Sequence, residues 1–214
     1  ERLQVNILLG QKADKDMIIF VDELLNHTAL SFFLTIYSYA HNKSKENTER
    51  CVKNLYYLLE IQGKKNMIYC YDISEIFKMI ELPKNIIDLA MDTFWVVWTF
   101  IIGHELFHLT LNKKLSAIQE EHNADAYGYD LLLHMIQEQK KGKVPEDIKV
   151  YYEYLYLAPI MFFEYFILLD EYRSLTGIVI TYSDHPSPQS RKDYILEMFD
   201  THVPDDFDTE QGNE

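Results

Sequence analysis

Basic residues are scarce in this chain. Twenty Lys and Arg stand against 34 Asp and Glu, a net charge of -14 over 214 residues. Binding to nucleic acid needs a basic patch to neutralise phosphates, so nucleic acid is not expected as a partner. Short basic pairs such as Lys64-Lys65, Lys113-Lys114 and Lys140-Lys141, each at an expected helix end, form no cluster that offsets this. Cysteine is scarcer still. Cys51 and Cys70 are the only two, they have no metal-binding spacing, and two cannot staple a 25.4 kDa chain as a disulfide scaffold. Both are expected to be reduced thiols, which suits a cytoplasmic protein. No secretory leader is recognisable in residues 1–10, and the chain lacks an initiator Met, so it is expected to be a trimmed piece with sequence missing upstream. Long apolar runs are also lacking. Thr93 to Gly103 is apolar for about 11 residues where roughly 20 would span a bilayer, and Pro159 and Glu164 interrupt the run from Tyr154 to Leu169. Both are expected to be buried core helices, and no membrane is expected as a partner.

What is present is apolar and aromatic content, 48% and 14%, which argues for one folded domain with a substantial core. Residues 1–82 suggest a mixed α/β portion of that domain. Leu3 to Leu9, Asp16 to Val21 and Met67 to Tyr71 are expected strands. His27 to Tyr39 fits helix or strand equally, and Glu49 to Leu59 has the spacing of an amphipathic helix that Gly63 would stop.

Residues 83–199 predict a helical core. Pro83 suits a first turn, and one helix should run from it to Asn112, apolar nearly all round from Phe94 and so buried on every side. A second should run from Ser116 to Lys140, opened by a Ser116/Gln119 capping box. A third should run from Glu146 to about Leu175 with a kink near Pro159. Gly177 to Tyr182 has strand composition, Ser183 to Ser190 that of a loop, and Arg191 to Phe199 that of a short helix. Residues 200–214 carry six acidic residues and little apolar content, an expected disordered tail.

The first of these helices carries His104-Glu105-Leu106-Phe107-His108. Histidines four apart lie about 40° apart round a helix, so both rings can reach one metal ion. Glu105 can flank that ion without ligating it and take a proton from a water that the metal acidifies. A catalytic zinc needs a third protein ligand and one open position. Gln119-Glu120-Glu121-His122-Asn123-Ala124-Asp125 offers candidates. Glu121 and Asp125 share a helix face, which suits Glu121 as ligand and Asp125 as acceptor from the outer nitrogen of a ligand histidine. Glu120 and His122 stand as alternative ligands. His122 and His134 otherwise lie off that face.

The combination of HELFH with Glu121-x-x-Ala124-Asp125 resembles the gluzincin metallopeptidases, in particular the CaaX-prenyl-endopeptidase and heat-shock membrane peptidase type. A third stretch, His185-Pro186-Ser187-Pro188-Gln189-Ser190-Arg191, is similar to that family's late His-Pro-x4-Arg motif. The likeness runs from Gly103 to Arg191; nothing before Pro83 contributes, and the family's membrane spans are not matched, so soluble phage-exclusion-type relatives are nearer. The resemblance implies an α+β, mostly helical, zincin-like domain with a small sheet. It further implies Zn2+ held by His104, His108 and Glu121, and Glu105 as the catalytic base. His185 then falls to the site either as a donor to the developing oxyanion or as a plain loop residue, and Arg191 either pairs with the second-helix acids or stays solvated.

The expected function is zinc-dependent hydrolysis of peptide bonds in a protein or peptide substrate, with specificity that is narrow or triggered by an activating partner. Two alternatives stand beside it: a non-catalytic zinc-containing binding or sensing module, and a zinc hydrolase of non-peptide bonds.

Overall fold

A computed structural model of the chain describes residues 23–64, 82–110, 115–140, 155–178, 180–182 and 185–202. These residues form six helices: α1 (Glu23–His41), α2 (Lys45–Lys64), α3 (Lys84–Thr110), α4 (Ala117–Lys140), α5 (Ala158–Leu175) and α6 (Pro188–His202). No strand occurs among them, so the expected α+β class is corrected to an all-helical one. The strands expected at Leu3 to Leu9, Asp16 to Val21 and Met67 to Tyr71 lie outside the described residues. The described residues of the Gly177 to Tyr182 stretch form no strand, for a local reason. Gly177 takes φ +80° and closes α5 in a left-handed cap. Its amide donates to the Ser174 carbonyl at 3.1 Å, and that of Ile178 donates to Arg173 at 2.8 Å.

Packing divides the chain into two units, residues 1–91 with 168–178 and residues 92–167 with 179–214. In the first, α1 packs against α2. The stretch from His27 to Tyr39, ambiguous by composition, is helical. Ser44 caps α2, its hydroxyl accepting from the Asn47 amide at 3.3 Å. Gly63, the expected stop, is the penultimate residue of α2, and a Cβ there would stand 2.9 Å from the Tyr172 ring. Cys51 is buried with a free thiol.

In the second unit, α4 opens on the expected capping box: the Gln119 amide donates to Ser116 Oγ at 3.3 Å, and Gln119 Oε1 accepts from the Ser116 amide at 3.4 Å. The second half of α3 crosses α4 at Gly103 and Gly128. A Cβ on Gly103 would lie 2.8 Å from Gly128 Cα, and one on Gly128 would lie 2.5 Å from the Phe100 carbonyl oxygen and 3.0 Å from the His104 amide nitrogen. Backbone meets backbone there because neither residue has a side chain. The crossing sits beside His104 and one turn past Asp125, so it draws the two motifs together.

Helix α6 packs on α4 and begins earlier than expected. Ser187 caps it, accepting from the Ser190 amide at 3.2 Å, and Pro188 occupies the first turn, where its missing N–H costs nothing. The loop expected to reach Ser190 is therefore helix from Pro188 onward. α3 is not buried on every side, since Trp95 is 60% and Ile102 39% exposed. By length and composition alone it is the one helix among the described residues that could cross a membrane.

Candidate metal centre

His104 and His108 project from the last turns of α3 toward α4. Their Nε2 atoms stand 3.1 Å apart. Two nitrogens bound tetrahedrally to one zinc at about 2.0–2.1 Å would be about 3.3 Å apart. Glu121 supplies the third donor, with Oε2 at 3.5 Å from His104 Nε2 and Oε1 at 3.8 Å from His108 Nε2. These three residues form a group whose ligand atoms all lie within 4.8 Å of one another. No fourth ligand joins that group among the described residues. Glu121, not Glu120 or His122, is the α4 residue that faces the centre. His122 instead stacks on Tyr194 at 4.7 Å and meets Ser190 Oγ at 3.4 Å, and His134 is exposed beside Glu138.

The outer nitrogens of both histidines are committed to carboxylates. His104 Nδ1–H donates to Asp125 Oδ1 at 2.9 Å, and His108 Nδ1–H to Glu120 Oε1 at 3.0 Å. A neutral imidazole has one N–H, so each ring then offers its Nε2 lone pair inward. Two lone pairs 3.1 Å apart, with a carboxylate beside them, repel unless a cation or a proton lies between. Two imidazoles and one carboxylate are a donor set that zinc accepts.

Asp125 is fully buried, and Arg191 meets it with two hydrogen bonds, Nε donating to Oδ2 at 2.8 Å and Nη2 to Oδ1. Burial opposes the charge on Asp125. The Arg191 charge and hydrogen bonds, with that from His104, outweigh it and hold the carboxyl below its usual range. Arg191 in turn has its guanidinium 4.8 Å from the centre of the Phe163 ring and its Nη1 3.7 Å from Glu121 Oε2. Burial works against its charge, but Asp125 more than compensates and raises its pKa. His185 is half-exposed and its Nδ1 lies 2.8 Å from Glu121 Oε1. Glu105 is partly buried. Burial pushes its pKa up, with Glu121 adding to the rise and His104, His108 and Arg191 opposing it.

The structure thus brings His104, His108, Glu121, Asp125, His185 and Arg191 into one connected set, with Glu105 in electrostatic reach. Two contacts escape a sequence reading, although Glu120 itself is named there as an alternative ligand. Glu120 meets His108 only because α3 and α4 cross, and Phe163 had no mark separating it from other core aromatics. Compared with protein-family models, curated proteins and solved structures, the chain matches none, so nothing there assigns it to the peptidase family its motifs resemble.

Proposed function

We propose that this chain is a zinc-dependent metallopeptidase of gluzincin type, with His104, His108 and Glu121 as ligands and Glu105 as general base. The observation that carries the reading is the convergence of two inward imidazole lone pairs and one carboxylate, with no fourth ligand among the described residues. Catalytic zinc sites keep a position open, whereas structural sites close all four. Zinc, when bound, would polarise the scissile carbonyl and acidify water. Glu105 would take the proton from the attacking water and hand it to the leaving amine. Asp125, clamped by Arg191, would hold the His104 ring in one tautomer. With the one proton of its neutral ring on Nδ1 and given to Glu121, His185 would donate from Nε2 to the developing oxyanion only as an imidazolium.

Glu105→Gln keeps the size and ligand set but removes the base. Zinc content should be unchanged and cleavage should fall by about 10²–10⁴-fold, the typical worth of general acid–base catalysis. The substrate search compares protein termini in cells carrying the native chain and those carrying E105Q. New termini produced equally by both would rule the mechanism out. The non-catalytic zinc module is the second reading, favoured only if a further protein ligand closes the site.

A further inference from the structure

The two histidines are supported unequally. His104 leans on Asp125, which is fully buried and fixed by two hydrogen bonds from Arg191. His108 leans on Glu120, whose side chain is 34% exposed. Glu120 lies outside the motif residues, one position before Glu121, and points to the far side of the His108 ring.

We infer that Glu120 is a positioning residue for the metal centre, fixing His108 in the tautomer whose Nε2 can bind metal. This rests on the proposed zinc site. Three carboxylates within six residues of α4 then divide the work: Glu121 ligates, while Glu120 and Asp125 hold the outer nitrogens of His108 and His104. The chemistry follows from the single N–H of a neutral imidazole. With Glu120 accepting at Nδ1, the proton stays there and the Nε2 lone pair is directed inward. Without an acceptor, the ring can carry its proton on Nε2, where it blocks ligation, and can turn about its side-chain bonds. Glu120 also places a second negative charge behind the ring, which makes Nε2 a stronger donor. Because this support is the more exposed of the two, His108 is the ligand more easily lost.

The test uses zinc and cobalt(II) on the full chain. Glu120→Ala should weaken zinc binding by about 10–100-fold, the usual effect of removing such a partner. It should also change the visible absorption of the cobalt-loaded protein, which reports ligand geometry. Glu120→Gln keeps a carbonyl oxygen in reach of Nδ1–H, so it should regain a native-like cobalt spectrum and part of the lost affinity. A side chain that merely stabilised α4 would not alter the cobalt spectrum of folded protein, nor separate Gln from Ala in this order. Native zinc affinity and an unchanged cobalt spectrum in E120A would overturn the inference. If E120A does not fold, Glu120→Ser takes its place: weakened zinc binding with an altered cobalt spectrum supports the role, and native affinity with a native-like spectrum overturns it. The peptidase reading fails separately, through cleavage surviving in E105Q.

Discussion

Glu121 lies where four side chains meet: its Oε2 is near His104 Nε2 and Arg191, and its Oε1 near His108 Nε2 and His185. At this scale the site is an accounting of protons. Each imidazole gives its one N–H outward to a carboxylate, which leaves the inner side rich in lone pairs and short of positive charge. Arg191 balances Asp125 but not Glu121 and Glu105. Its removal leaves Asp125 buried with His104 as the remaining partner, and breaking such a buried pair costs about 3 kcal/mol. Denaturant unfolding of Arg191→Ala without metal should show that loss. A change under about 0.5 kcal/mol, the range of ordinary surface substitutions, would mean that the pair is not structural. Arg191→Lys should recover little, because an ammonium cannot reproduce the two-pronged contact.

Among the elements, the crossing of α3 and α4 at Gly103 and Gly128 sets the distance between motifs that lie 17 residues apart in sequence (His104 to Glu121). In a helix interior, Gly→Ala by itself favours folding by about 1 kcal/mol. At Gly128 the added carbon would collide with the Phe100 carbonyl, and overpacking of this kind costs about 1–3 kcal/mol. Gly128→Ala should therefore be no more stable than native and should bind zinc more weakly, measured by unfolding and by metal competition. A gain of about 1 kcal/mol with full zinc affinity would show that the helices part without harm. Such a crossing explains what could be read beforehand. The capping box at Ser116, the helical run before His104 and the one-face spacing of Glu121 and Asp125 are all local, so periodicity and cap chemistry reveal them. Gly177 was expected to open a strand because the letter alone does not show that it closes a helix in a left-handed cap. The strand expected after Leu175 was drawn from β-rich composition, which the helix cap overrides. Glu120 opposite His108 needed the relation between two helices, and no single-helix pattern contains it.

For the whole molecule, the described residues are helical with no strand among them, in place of the expected small sheet, and the proposed centre lies entirely within one of the two packing units. A ligand that binds the folded form alone stabilises it by about 2.7 kcal/mol at a free concentration 100 times its dissociation constant. For a chain of this size that is an increase of roughly 5–11 °C in melting temperature. Adding zinc to chelator-treated protein should raise the melting temperature by that order, and the His108→Ala variant should lose most of the shift. An equal shift in both would place the zinc elsewhere.

X-ray absorption at the zinc edge of the loaded protein tests the central claim most directly. The account predicts two imidazole nitrogens and one carboxylate oxygen from the protein, with a remaining position taken by a solvent oxygen, all near 2.0–2.1 Å. A third imidazole or a sulfur in the first coordination sphere would contradict it, because the site would then be closed to substrate.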